Sequence, residues 1–247
     1  MARKLKIQSS FQRFEKKYLL TQAQYELLLE GMSRYLRPDD YGRYTICNIY
    51  YDTDNYQLIR TSLEKPVYKE KLRMRSYGVP ADGDNVFVEL KKKFHGEVYK
   101  RRAVMEVSEA VSYLSGASRP RQEGQICREI DWFLNSYRPA PKVFIAYDRE
   151  AYAGREEPEL RITFDTNLRW RNSELDLRCG DYGGLLLPKE QILMEIKIPG
   201  AAPVWLAHLL SCAGAFPTSF SKYGTCYRQN LLGEGSDHFT QEESCCA

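Results

Sequence analysis

VYKEKLRMRSY (residues 67–77) and NVFVELKKKF (residues 85–94) are the two stretches that decide the fold of this chain. Successive side chains of a strand point to opposite faces. Leu72 and Met74 therefore share one face, and Arg73 and Arg75 the other. The second stretch repeats the division, with Val86, Val88 and Leu90 opposed to Glu89 and Lys91. Between them Pro80-Ala-Asp-Gly83-Asp supplies the residues of a turn, which joins antiparallel neighbours. A second turn, His95-Gly96, leads into 97–107, where Tyr99, Ala103, Met105 and Val107 oppose Lys100, Arg102 and Glu106.

The same alternation extends outward to 11–19, 44–52, 142–152, 159–168 and 190–198. Arg13, Glu15 and Lys17 share a face of the first of these. In the fourth, Leu160, Ile162 and Phe164 oppose Arg161, Thr163 and Asp165; in the last, Ile192, Met194, Ile196 and Ile198 oppose Glu195 and Lys197. Helical periodicity lies between strands: from a Thr21 N-cap to Arg34, a short piece from Asp54, Ser108 to Leu114, 122–136, 203–213 and 222–232. Few connections have the length of a parallel crossover, and neither a repeat nor a linker divides the chain. The expected fold is α+β, one domain over 1–232 built on an eight-stranded antiparallel β-barrel with peripheral helices. A polar tail over 233–247 is expected to be disordered.

Composition narrows the function. The 247 residues carry a net charge of only +3, so no global basic field gathers nucleic acid, and no nucleic-acid partner is expected. Any strong anion site must come from local arrangement. The 18 Tyr and 10 Phe favour strands. Seven cysteines show no C-x-x-C pair, their number is odd, and no signal-peptide core precedes them, which points to unpaired thiols in a reduced cytoplasmic compartment. The vicinal Cys245 and Cys246 belong to the tail. No apolar run approaches the roughly 20 residues that span a bilayer, so direct membrane insertion is not expected. His95 and His208 lack metal-ligand spacing.

The parity of the strands alone leaves two readings open. Each charged face is solvated, as in many antiparallel sheets; or the sheet closes with its apolar faces under helices, and the charged faces line an interior. An interior ring of cations is costly unless an anion neutralises it. Polyphosphate is the natural counter-charge, because its row of oxygens meets Arg forks and Lys ammoniums. Glu15, Glu89, Glu106 and Glu195 are the carboxylates that can hold a divalent metal across phosphate oxygens.

In this order and spacing the charged units resemble the triphosphate tunnel metalloenzyme (CYTH-like) superfamily, and within it the VTC-type polyphosphate polymerase domain, over about residues 11–232. The matching segments are Arg13-Phe-Glu-Lys-Lys17-Tyr18, Lys71-Leu-Arg73-Met-Arg75, Val88-Glu89-Leu-Lys91, Tyr99-Lys100-Arg-Arg102 and Tyr147-Asp-Arg149, followed by Arg161-Ile-Thr-Phe-Asp165-Thr, Met194-Glu195-Ile-Lys197 and Ser219-Phe-Ser221-Lys222-Tyr223. Hydrolase and cyclase relatives carry Glu-x-Glu-x-Lys on the first strand; Arg13 stands here in place of the first Glu, as in the polymerase branch. The resemblance implies a tunnel in which Arg13, Lys17, Arg73, Arg75, Lys91, Lys100, Tyr147, Arg149, Lys197, Ser221 and Lys222 bind phosphate. It implies that Lys17, Arg73, Arg75, Arg149 and Lys222 act in catalysis, and that Glu195 holds Mn²⁺ or Mg²⁺. Glu15 and Asp165 are metal-side or plain ion-pair partners, Arg161 is a neighbour, and Lys16, Lys92, Lys93 and Arg101, read as the other parity, are expected at the surface.

The implied reaction is transfer of the ATP γ-phosphoryl group to a growing inorganic polyphosphate. Its rivals are a triphosphatase or tripolyphosphatase and a polyphosphate-binding module without turnover. The partners expected are ATP and polyphosphate or another triphosphate, and any membrane coupling would come from a partner protein.

Overall fold

The computed structural model of this protein describes residues 13–95 and 97–232. The expected disordered tail, including Cys245 and Cys246, lies outside the described residues. The elements run β1 (Arg13–Leu20), α1 (Gln22–Met32), β2 (Leu36–Asp52), α2 (Gln57–Leu63), β3 (Tyr68–Tyr77), β4 (Asn85–Phe94), β5 (Glu97–Glu106), α3 (Val107–Leu114) and α4 (Gln125–Tyr137), then β6 (Ala140–Gly154), β7 (Arg161–Arg171), β8 (Gly184–Leu185), β9 (Ile192–Pro199), α5 (Val204–Cys212) and α6 (Lys222–Cys226). A π-helical turn, Tyr227–Leu231, ends the described chain where the periodicity predicts helix to continue.

Each strand expected from the alternation is present. β2 starts at Leu36, ahead of its alternating part, and the short β8 has no signal in the pattern. The hydrogen-bonded order is β1-β9-β7-β6-β2-β3-β4-β5, with β8 on β7, which makes the class α+β. The path is not closed: among the described residues β5 and β1 are its two ends. β5 runs straight into α3 at Val107, and β1 is bridged by Thr218, whose N–H donates to the Lys17 carbonyl at 2.7 Å.

The chain divides into two compact units, each assembled from separated segments. The first comprises the residues up to Tyr44, Asp148–Asn167 and Pro188–Ser219; the second comprises Thr45–Tyr147, Leu168–Leu187 and the residues from Phe220. The strands β2, β6 and β7 contribute to both.

In the first unit the apolar faces of β1, β7 and β9 bury Tyr18, Ile162, Phe164, Met194 and Ile196 with Leu28 and Met32 of α1 and Leu206 of α5. A capping box starts α1: the Thr21 hydroxyl accepts the Gln24 N–H, and the Gln24 side chain accepts the Thr21 N–H. The Gln24 amide also donates to the Ala213 carbonyl at 3.0 Å, tying α1 to the end of α5. Gly31 lets these helices approach, since a Cβ there would come within 2.6 Å of Leu209 Cδ2.

In the second unit Leu72, Met74, Val86, Val88, Leu90 and Met105 face Val107, Ala110 and Leu114 of α3 and Ile130 and Phe133 of α4. The alternation quoted at the outset is therefore realised except at Tyr99, which stays 44% exposed. The apolar face of β3–β5 lies under helices, and its polar face carries the cations.

Candidate functional site

The register of β3, β4 and β5 arranges the charged residues of the second unit in rows. Across the strands, Lys69 stands opposite Lys93, Lys91 stands between Lys71 and Lys100, Glu89 between Arg73 and Arg102, and Arg75 opposite Phe87. Rows two residues apart are about 7 Å from one another. A single carboxylate organises this face. Glu89, buried to 1% exposure, accepts from Arg73 Nε at 2.7 Å, Lys100 Nζ at 2.7 Å and Arg102 Nη2 at 2.5 Å, and Arg75 Nε lies at 3.9 Å. Burial pushes its carboxyl group upward, but Arg73, Arg75 and Lys100 override that and hold it far below the usual carboxylate range. Lys100 goes the other way: desolvation first, then the neighbouring Arg102 and Arg73, outweigh its bond to Glu89 and push it down to about 8.

The arginines are held rigidly on their far sides. Arg75 donates to Asn48 Oδ1 at 2.9 Å and to the Tyr147 hydroxyl at 3.2 Å; Arg73 donates to the Tyr50 hydroxyl at 3.4 Å. Lys222 lies over the Tyr147 ring, its Nζ 4.2 Å from the centroid, and Lys71 donates to Ser221 Oγ at 3.4 Å. Ser221 is the N-cap of α6, where its hydroxyl also accepts the Gly224 N–H.

The helix bearing Lys222 is positioned by Asp52, a wholly buried residue at the end of β2. Its carboxylate accepts the N–H groups of Leu58 and Ile59 at the start of α2, and the Tyr223 hydroxyl at 2.9 Å. Burial raises both Asp52 and Tyr223 above their ordinary values; the hydrogen bonds to Asp52 offset part of its rise. Tyr223 also stacks on Tyr50, 4.9 Å between centroids.

In the first unit, β1, β9 and β7 form a second charged ladder. Lys197 of β9 stands between Glu15 and Arg161, and Glu195 between Lys17 and Thr163. Three charge pairs form here: Lys17 with Glu15 at 3.3 Å, Lys197 with Glu195 at 2.5 Å, and Arg149 of the neighbouring β6 with the fully buried Asp165 through two bonds of 2.6 and 2.8 Å. Thr163 Oγ1 is buried with no hydrogen-bond partner. Arg13 opens β1 opposite Pro199, and its side chain lies outside the described residues. Arg161 is exposed.

The carboxylates named from the sequence as metal ligands fit a metal unequally. No cluster of three or more His, Cys, Asp or Glu that could hold an ion occurs among the described residues. Glu89 is saturated by cations, Glu15 is paired with Lys17, and Glu106 with Arg121 at 3.1 Å. Glu195 is paired too, with Lys197 at 2.5 Å, and differs in having the unpartnered Thr163 hydroxyl opposite it in register. One carboxylate suits Mg²⁺ or Mn²⁺ only where phosphate oxygens complete the shell.

Residues 12–230 match the VTC domain. The chain belongs to the VTC-domain family. It is 27% identical over 220 residues to vacuolar transporter chaperone complex subunit 4 of Trypanosoma brucei brucei, covering 72% of this chain and 27% of that protein. Against the subunit 4 of Schizosaccharomyces pombe it is 25% identical over 213 residues, covering 67% of this chain and 29% of that one. The chain thus spans a little over a quarter of these relatives. An adenylate cyclase-like protein of Bacillus halodurans shares the fold, with a TM-score of 0.52 at 15% identity over 84% of this chain and 92% of that one. The VTC domain here therefore shares the fold of that protein.

Within this VTC domain the second unit brings together Arg73, Arg75, Lys100, Tyr147, Ser221 and Lys222, with Lys91 exposed on the same face. The first unit carries Lys17, Lys197 and Glu195 on one ladder, with Arg149 of β6 bonded to Asp165 of β7. Sequence reasoning passed over Arg102, Lys71, Tyr50 and Asn48 as site residues. The parity of Arg102 with Lys100 was a usable signal; the neutral side chains had none. Lys16 is exposed as expected, but Lys93 shares the face of Lys91 and stands opposite Lys69 on the cationic side, because residues two apart on a strand point the same way. Lys92 and Arg101 also differ from their expected surface positions. They sit half-buried beside α4 and pair with Glu129 at 3.4 and 3.2 Å, because their face is the one the helix covers.

Proposed function

We propose that this chain transfers the γ-phosphoryl group of ATP to the end of an inorganic polyphosphate. The observation that carries the reading is the length of the cationic face. Lysines and arginines occupy four successive rows of β3–β5, from Lys69 and Lys93 to Arg75, about 20 Å in all. That is longer than the phosphates of one nucleoside triphosphate, and it suits a donor and an acceptor laid end to end.

The chemistry asks little covalent work of the protein. A terminal oxygen of the acceptor, already anionic, attacks the γ-phosphorus. That P–O bond forms as the bond from the γ-phosphorus to the β–γ bridging oxygen breaks, and ADP leaves with the electron pair. No proton needs to be abstracted. Arg73, Arg75 and Arg102 are fixed by Glu89, Asn48, Tyr50 and Tyr147 before the substrate arrives, so they stabilise shifting charge without reorganising. Lys71, Lys91, Lys100 and Lys222 hold the chain in line. A divalent metal held by Glu195 would neutralise phosphate oxygens when bound. The carboxylates that could activate water for hydrolysis, Glu15, Glu89, Asp165 and Glu195, are each ion-paired with Lys or Arg; this favours transfer to phosphate over hydrolysis.

The test is incubation of the pure protein with ATP, a short polyphosphate primer and Mn²⁺, followed by assay of acid-stable polymer and free phosphate. Polymer is expected from wild type, and a loss of at least about a thousandfold from Arg73→Ala/Arg75→Ala. Free phosphate without polymer would establish hydrolysis instead. Tight polyphosphate binding without ATP turnover would establish a binding module.

A further inference from the structure

In the row of the last arginine, Arg75, the cationic face turns apolar on β4 and β5. Phe87 stands opposite Arg75 on one side and Val104 on the other, and Tyr77 follows Arg75 on the same face of β3. The other apolar side chains of these strands are mostly packed beneath α3 and α4. These three are not: Tyr77 is 53% exposed, Val104 48% exposed and Phe87 half-buried. They form one cluster. The Tyr77 and Phe87 rings meet edge to face at 5.6 Å, and the Arg102 guanidinium lies 4.5 Å over the Phe87 ring. Contiguous wetted apolar surface beside a dense cation cluster has no use for an inorganic phosphate chain. It does suit a ligand that carries a flat aromatic group at one end of its phosphates.

We infer that Tyr77, Phe87 and Val104, with Arg102, form a ledge on which the base of the donor nucleotide stacks. This rests on the phosphate-transfer reading above and adds a direction to it. The ledge lies about 7 Å, one row, beyond Arg73 and Arg102, a span that a ribose fills between base and phosphates. The nucleotide is thereby seated at the Arg75 end, and the acceptor polymer extends toward Lys71 and then Lys69 and Lys93. A ring and a guanidinium plane stack on any base, so the ledge selects for a nucleotide over tripolyphosphate without selecting strongly among bases.

The experiment compares binding of ATP and of inorganic tripolyphosphate to wild type, Tyr77→Ala/Val104→Ser and Tyr77→Phe, by titration calorimetry at one ionic strength. The double variant is expected to weaken ATP about tenfold and to leave tripolyphosphate within twofold, and Tyr77→Phe to retain ATP binding. Equal losses for both ligands, or no loss for ATP, would overturn the ledge while leaving the phosphate site in place. Wild type that binds neither ligand would remove the phosphate reading and the ledge with it. Both substituted residues are exposed, and the tripolyphosphate titration reports that the fold survives.

Discussion

The two units solve the same electrostatic problem in opposite ways. In the first, three cations have a carboxylate each: Lys17 of β1 has Glu15, Lys197 of β9 has Glu195, and Arg149 of β6 has Asp165, while Arg161 stands exposed on β7. In the second, Arg73, Arg75, Lys100 and Arg102 converge on Glu89 alone. One-to-one pairing leaves a face electrically complete. Four cations on one carboxylate leave a surplus of positive charge, held in place by neutral partners such as Asn48, Tyr50 and Tyr147. Such a surplus is tolerable beside water and becomes favourable when a polyanion arrives. The difference separates a face built to be stable by itself from one built to be completed by a ligand.

The sharpest way to break this comparison is Glu89→Gln. Losing the shared carboxylate leaves several cations facing one another, and we expect a stability loss of about 3–5 kcal/mol, read as a fall in Tm. Millimolar tripolyphosphate should restore much of it. Absence of that rescue would mean the surplus is not a ligand site.

Asp165→Asn is the matching test in the first unit. It orphans one well-ordered arginine and should cost about 3 kcal/mol, with little recovery on adding tripolyphosphate. Equal rescue of both variants would erase the distinction between the units.

Tyr223→Phe should cost about 1 kcal/mol, since the buried Asp52 keeps its backbone donors and loses only the hydroxyl. Its informative readout is a raised KM with the fold intact, because α6 carries Ser221 and Lys222.

The smallest effect expected is in pH dependence. Lys100 is pushed down to about 8, so above that pH it is largely neutral in the free protein. A bound polyanion favours the ammonium, so binding near pH 8.5 should take up protons, and affinity should fall several-fold as pH rises through 8 and beyond. Lys100→Arg should abolish both effects, because Arg does not titrate there. Calorimetry in buffers of different ionisation heat measures the uptake.

Much of this was legible in the chain itself. The alternation over 67–77, 85–94 and 97–107 determined which face of each strand is apolar, and therefore that Arg73, Arg75, Lys91, Lys100 and Arg102 stand together, since a period of two admits one division. The Thr21 cap and the turn residues placed α1 and the hairpins for the same local reason. What the sequence could not assign was pairing. Glu89 read as one of several metal-capable carboxylates, and only the register, which sets Arg73 and Arg102 on either side of it, made it the counter-ion of the cluster. Lys92 and Arg101 read as surface residues until α4 was seen to cover their face. Tyr147, Asn48, Asp52 and Tyr223 meet their partners across separations that no local pattern records. The stretch KEKLRMR established that cations would line one face; only tertiary structure decided that their charge exceeds that of the carboxylates beside them, because neutralisation depends on distances between strands rather than on composition along one.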